Sequence, residues 1–202
     1  MTLSESTNLN IGAGISYLPG FTNIDISDKA DVQLDLNSDR LPFDDNSVDL
    51  VFTYHCLEHL DNYLFALGEI HRVLRHEGTL LMGVPYVTLT EFNLVNPYHK
   101  QNFNEYSFDF FDPERLKGSA AEETRVLFKK VFHRFHYLPE FANEPQDKRD
   151  WCRRHLFNVV RAIDFGLVAV KERGTSIVID DEMRASMQQQ FDQLLAACVP
   201  YQ

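Results

Sequence analysis

The hexapeptide HCLEHL sets His55, Glu58 and His59 at positions i, i+3 and i+4, and NPYHKQNF adds His99 further along the chain. Imidazoles titrate near neutrality, so such a set suits proton abstraction, and three imidazoles with a carboxylate also make a competent site for a divalent ion. Three roles are open to it. Glu58 and His59 can cap and pack the start of a following helix while His99 bonds backbone in a loop. His59 or His99, with Glu58 beside it, can take the proton from an acceptor hydroxyl as general base. Or the cluster can hold a metal. The working assignment is catalytic for His59, His99 and Glu58, with no metal.

A second stretch, LNIGAGISYLPGFTNIDIS (9–27), carries a Gly-x-Gly turn behind an apolar run and ends near Asp25. Glycine lacks a Cβ and accepts positive φ, so Gly12 and Gly14 let backbone approach a ligand closely. A dinucleotide site adds a third glycine and a helix whose N-terminus holds the pyrophosphate, with the ribose-binding acid about twenty residues on. Here Asp25 follows Gly14 by only 11 residues, and Pro19-Gly20 sits where that helix would be. S-adenosylmethionine has no phosphate and bears a positive sulfonium, so it gains little from a helix N-terminus and tolerates the omission. Asp25 could then accept the ribose hydroxyls and Asp35 the adenine amino group, because carboxylates at the ends of adjacent parallel strands face one crevice.

The elements that must position these groups follow from periodicity. Runs at 8–11, 21–26, 32–36, 48–54 and 79–84 are β-branched, apolar and bounded by Gly, Pro, Asn or Asp, as buried strands are. Between the last two the spacing predicts a helix capped by Asp61 and ended by Gly78, with Leu60, Leu64, Leu67, His71 and Leu74 on one face. This alternation predicts an α/β fold with a mostly parallel sheet covered on both faces. Later, 128–138 alternates like a strand, 147–164 reads as helix and 165–173 as strand. Met183, Met187, Phe191, Leu194, Leu195 and Cys198 form a helical stripe, either a docked terminal helix or a homodimer contact. The aromatic run FNEYSFDFFDPERL, with Phe103, Tyr106, Phe108, Phe110 and Phe111, reads as a helix and turn across the cofactor mouth, or as a lid over the acceptor.

LNIGAGISYLPGFTNIDIS, ADVQLDLNSDRLPFDDNSVDLVFTYHCLEHL, EIHRVLRHEGTLLMGVP and NPYHKQNFNEYSFDFFDP, in that order, resemble the consecutive motifs of class I S-adenosylmethionine-dependent methyltransferases. The nearest likeness is to the small type 11 group met in polysaccharide and cell-envelope gene neighbourhoods. The resemblance spans roughly 8–113 and implies a Rossmann-like, seven-stranded, mostly parallel sheet with helices on both faces and a shortened first βα unit. It implies that Gly12, Ala13 and Gly14 line the methionine part of the cofactor, Asp25 and Ile26 the ribose, and Asp35 and Leu36 the adenine, with His55 in the turn after the fourth strand. Asn10 stands where many members place an acid. The pattern E-x-x-E-H with a later histidine is also similar to the metal site of small-RNA 2'-O-methyltransferases, with His55 in place of the first acid.

The chain of 202 residues, 44% hydrophobic, is the size of one domain, here read as a cofactor-binding half (1–115) and a second half (116–202) of strands, a helical insertion and a terminal helix. A formal net charge of -11 repels polyanions and argues against a nucleic-acid substrate. No apolar run approaches bilayer length, and Cys56, Cys152 and Cys198 are widely spaced, so a cytoplasmic protein with reduced thiols and no membrane partner is expected. The expected activity is methyl transfer to a small-molecule or sugar-containing acceptor, with oxygen favoured by the histidines. A non-catalytic module that keeps the fold for binding or assembly is the alternative.

Overall fold

A computed structural model describes residues 7–115, 125–172 and 177–200. Nine strands and four α-helices are present among them: β1 Asn8–Ile11, β2 Ser16–Tyr17, β3 Thr22–Asp25, β4 Val32–Gln33, β5 Val48–Tyr54, α1 Tyr63–Val73, β6 Leu74–Pro85, β7 Phe128–Tyr137, α2 Pro139–Ala142, α3 Gln146–His155, β8 Val160–Ala169, α4 Asp181–Ala197 and β9 Val199–Pro200. Seven strands form one sheet in the order β4-β3-β1-β5-β6-β8-β7. The pairs from β4 to β6 are parallel, and β8 pairs antiparallel with both β6 and β7.

Both faces of the sheet are buried, which is why its central strands are apolar at nearly every position. Val51, Leu80 and Met82 face one core with Ala66, Leu67, Ile70 and Val73 of α1. Their neighbours Leu50, Phe52 and Leu81 face the other with Met187 and Phe191 of α4. The terminal stripe is therefore a docked helix: Phe191 is fully buried and packs edge-on against Phe52 at 5.6 Å. The apolar face that suggested a homodimer is spent on the chain's own sheet.

Three elements differ from expectation. Helix α1 starts after Asn62 and ends at Val73, because residues from Leu74 join β6. Its inward face carries Glu69 and Ile70, while Leu64 is 66% exposed. The helix expected over 147–164 stops at His155, and Val160 begins β8. The aromatic run forms turns around a short 3-10 segment, Asp109–Phe111, and bends into the core, where Phe108 meets Phe165 at 4.9 Å.

No helix supplies a crossover between β1 and β3. A polar hub does so instead. Asn23, fully buried, accepts from Asn10 Nδ2 and from the Leu18 amide, both at 2.8 Å, and its Nδ2 donates to Asp31 Oδ2 at 2.9 Å and to the Leu18 and Phe21 carbonyls. Asn10 Nδ2 also donates to the Ser16 carbonyl. An acid at position 10 would set a carboxylate against two oxygen acceptors, which explains the asparagine there.

His71 of α1 ties that helix to the end of β8 by donating from Nε2 to the Val170 carbonyl at 3.0 Å. Burial, with the positive charge of Lys171 nearby, holds its pKa down at about 4. The unfolded imidazole titrates near 6.5, so between these values the unfolded chain binds a proton that the folded chain refuses. Stability therefore falls as pH drops through this window, by up to about 3 kcal/mol from this residue. Urea unfolding at about pH 7 and about pH 5 should show the loss, and His71→Gln, which can still donate to Val170, should reduce it. An unchanged pH dependence in that variant would show that His71 is not the titrating group.

Candidate active site

The carboxyl ends of β1, β3, β4 and β5 converge on one edge of the sheet, where open α/β sheets bind ligands. Two clefts lie there. The smaller, about 320 Å³, is lined by Gly12, Gly14, Asp25, Ile26, Leu34, Asp35, Leu36, Asn37, His55, Cys56, His59 and Leu60. The larger, about 490 Å³, holds Tyr54, His55, Glu58, His59, Pro85, Leu89, Phe92, Asn96, His99, Arg161 and Ala162. His55 and His59 belong to both and form their common wall.

The glycine turn is built for close approach. Gly12 and Gly14 have φ of +68° and +55°. A Cβ on Gly12 would fall 2.2 Å from Cys56 Sγ, so no side chain is admitted at that position. Asp25 Oδ2 accepts from the Gly14 amide and Oδ1 from the Ser27 amide, each at 2.9 Å. A carboxylate oxygen accepts about two hydrogen bonds, so each keeps one acceptor position. Asp35 accepts from the Asn37 amide and side chain through Oδ1, which leaves Oδ2 available. Leu34 and Leu36 are 7% exposed and make an apolar wall on either side of Asp35. Ala13 departs from its expected role: it is 4% exposed beneath the turn, its amide donates to the Ile24 carbonyl, and it does not line the cleft. Ile26 does line it and is 67% exposed.

His55 has a φ of +53°, in the left-handed region that costs a non-glycine residue energy. That kink, held by the His55 amide on the Gly83 carbonyl, turns the chain from β5 into the 3-10 segment Leu57–His59. His55 Nδ1 lies 3.0 Å from Glu58 Oε1. Glu58 is fully buried, and its Oε2 has no hydrogen-bond partner among the described residues.

His59 and His99 approach edge to face with ring centroids 4.7 Å apart. Their tautomers follow from their partners. His59 Nδ1 meets the Tyr98 carbonyl at 3.2 Å, and a carbonyl only accepts, so Nδ1 carries the proton. Asn93 donates through Nδ2 to Asn102 and to the Val87 carbonyl, which points its Oδ1 at His99 Nδ1, 2.8 Å away. Nδ1 is again the donor, so the neutral form of either ring presents Nε2 as the unprotonated base. Burial and the neighbouring His59 lower the His99 pKa, which keeps it neutral. One donor atom each from Glu58, His59 and His99 falls within 4.8 Å of the others. Cys56, by contrast, has its pKa pushed up to about 12 by burial and is no nucleophile.

Asn93, Asn96 and Arg161 are site residues that local motif reading does not reveal. Asn93 sits in a short π-helical turn, Thr90–Leu94, and Arg161 comes from β8 on the far side of the chain. The aromatic run 103–111 lines neither cleft; Leu89, Phe92 and Asn96 supply the wall expected of it.

Sheet order, glycine turn and strand-end carboxylates define the class: a Rossmann-like class I methyltransferase fold. Residues 13–82 match the family described as Methyltransferase domain. A Methanocaldococcus jannaschii protein is 31% identical over 100 residues, half of this chain and 39% of its own length. The demethylmenaquinone methyltransferase of Staphylococcus epidermidis is 34% identical over 96 residues, 46% of this chain and 37% of the enzyme. The chain thus spans well under half the length of these curated relatives. Among solved structures, a SAM-dependent methyltransferase from Archaeoglobus fulgidus superimposes with a TM-score of 0.55 at 15% identity, covering 82% of this chain and 86% of that one. S-adenosylmethionine is the cofactor that the fold and the matched segment imply, and the positive-φ turn at Gly12 and Gly14 with the open acceptors on Asp25 and Asp35 fits it. No helix among the described residues is long and apolar enough to cross a membrane.

Proposed function

We propose that the chain transfers a methyl group from S-adenosylmethionine to an oxygen of a small-molecule or sugar-containing acceptor bound in the larger cleft. The observation that carries this reading is the shared wall of His55 and His59 between a cofactor-sized and an acceptor-sized cleft. The cofactor supplies an electrophilic methyl group for in-line displacement. This chain's residues orient and deprotonate. Gly12 and Gly14 would border the methionine part, Asp25 would bind the ribose hydroxyls, Asp35 with its leucine walls would bind adenine, and Nε2 of His59 or His99 would take the acceptor proton. Glu58 Oε1 lies 4.0 Å from His59 Nε2 and would border the site at which that proton is taken up.

Isothermal titration with S-adenosylmethionine and with its demethylated product tests the reading. Binding of both is expected; no binding of either at about millimolar concentration would overturn it. The alternative of a non-catalytic module draws on the shortened first βα unit and on the amphipathic tail; the tail is docked on the chain's own sheet, which leaves the shortened unit as its support.

A second reading of the histidine cluster rests on one donor atom each from Glu58, His59 and His99 lying within 4.8 Å of the others, with the Nδ1 protons of both imidazoles tethered to oxygen acceptors, the arrangement metal-binding histidines use. Zinc binding that is lost in both His59→Ala and His99→Ala would favour a metal-assisted transfer. Zinc binding that is indifferent to them would leave the general-base reading.

A further inference from the structure

Arg161 is exposed on the wall of the larger cleft, and among the described residues no carboxylate and no side-chain hydrogen bond engages its guanidinium. Its neighbours in the fold are otherwise occupied: Arg134 is held by Asp164 and Asp192, and Arg153 by Glu105. In a chain of net charge -11, with 30 acidic side chains, an unpaired arginine facing a cleft is a specific feature of that cleft. The one carboxylate on the same wall, Glu58, is buried and held by His55, so Arg161 presents the exposed formal charge. A planar guanidinium suits a carboxylate, a phosphate or the oxyanion of an acidic hydroxyl.

Exposed apolar side chains stand at and beside the cleft. Phe92 lines it and is 65% exposed, and Val95 and Tyr98, on the same segment, are 70% and 73% exposed. Asn158 Oδ1 accepts from the Thr90 amide and hydroxyl, which brings the 61% exposed Phe157 beside that segment. Several exposed apolar side chains gathered beside a cleft suit an apolar ligand portion lying there.

We propose that the acceptor is an amphiphilic anion, with its charged group held by Arg161 and its apolar chain laid along Phe92 and the mouth. This rests on the larger cleft being the acceptor site. Arg161 would also favour the ionised form of an acidic hydroxyl, which prepares that oxygen as nucleophile and lessens the demand on the histidines.

The test is titration of the full chain with octyl phosphate, octanol and inorganic phosphate, with and without S-adenosylhomocysteine. Octyl phosphate should bind about tenfold or more tighter than octanol, as expected for a charge-assisted pair. Arg161→Gln should erase that preference, and Phe92→Ser should weaken octyl phosphate while sparing inorganic phosphate. Both variants should keep the wild-type affinity for S-adenosylhomocysteine, which shows them folded. Equal binding of phosphate and alcohol, or a preference that survives Arg161→Gln, would overturn the proposal. So would binding to phosphatidylglycerol vesicles that Phe92→Ser abolishes and Arg161→Gln does not, since the surface would then dock a membrane. S-adenosylhomocysteine binding without the octyl phosphate preference sinks this inference alone; failure of S-adenosylhomocysteine to bind sinks the methyltransferase reading instead.

Discussion

Asp25→Ala is expected to lower affinity for S-adenosylmethionine by about a hundredfold or more while leaving the chain folded, because two charge-assisted hydrogen bonds are lost together. Asp25 has two tasks. Its oxygens hold the Gly14 and Ser27 amides at 2.9 Å, which shapes the turn, and their remaining acceptor positions are the ones available for ribose hydroxyls. Asp25→Asn should be nearly as damaging. One end of its amide must become NH2 and face an N–H donor, either Gly14 or Ser27. The residue is half-buried at the strand end and not part of the apolar core, so thermal unfolding should move little. Asp28→Ala, three residues on and exposed, is the control and should bind as the wild type does. Calorimetry on the three variants decides the matter. Wild-type affinity in Asp25→Ala would remove this residue from the site and with it the basis for assigning the smaller cleft to the cofactor.

The parts legible in the sequence were those fixed by short-range chemistry. Gly12 and Gly14 do adopt positive φ, the space between β1 and β3 holds no helix, and Asp25 and Asp35 border one cleft. His59 and His99 do meet, since both follow strands that end on the same edge of the sheet. Elsewhere the pattern of apolar residues misled for identifiable reasons. Glu69 looks like a solvent residue, yet it is buried because Arg72 and the Leu41 amide satisfy its carboxylate, while of the expected inward face Leu60, Leu67, His71 and Leu74 are buried and only Leu64 faces water. Arg72 in turn holds the carboxylate of Glu69 below the ordinary range. β8 is buried on both faces, and a continuous apolar run does not distinguish strand from helix by period, so the helix before it was drawn too long. Arg161 and Asn93 had no local signature. Asn93 acts through His99, which a turn brings to it, and Arg161 reaches the cleft wall only through the sheet order.

Asn23→Leu is expected to lower the free energy of unfolding by about 4 kcal/mol or more, a large share of what a domain of this size possesses. The substitution keeps volume and apolar character near the core but strands every partner of the amide. Leu18 loses an acceptor for its N–H, Asn10 loses the acceptor for Nδ2, and the Leu18 and Phe21 carbonyls lose a donor. Asp31 Oδ2 keeps only the Asn23 backbone amide, at 2.8 Å. Asn23→Asp should be no milder. It restores the acceptor but sets a buried carboxylate against two carbonyls and Asp31. Asn10→Ala removes one spoke of the hub and should cost about 1–2 kcal/mol. The ordering has a functional corollary, because this hub stands where other nucleotide-binding folds place a crossover helix. It anchors the segment from Ser16 to Phe21 directly behind the glycine turn, so Asn10→Ala, still folded, should also weaken cofactor binding although it touches neither cleft. Urea unfolding of the three variants, with calorimetry on Asn10→Ala, measures both effects. Near-wild-type stability in Asn23→Leu would mean that β2, through its pairing with β9, and the packing of Leu18 suffice to hold the turn without the hub.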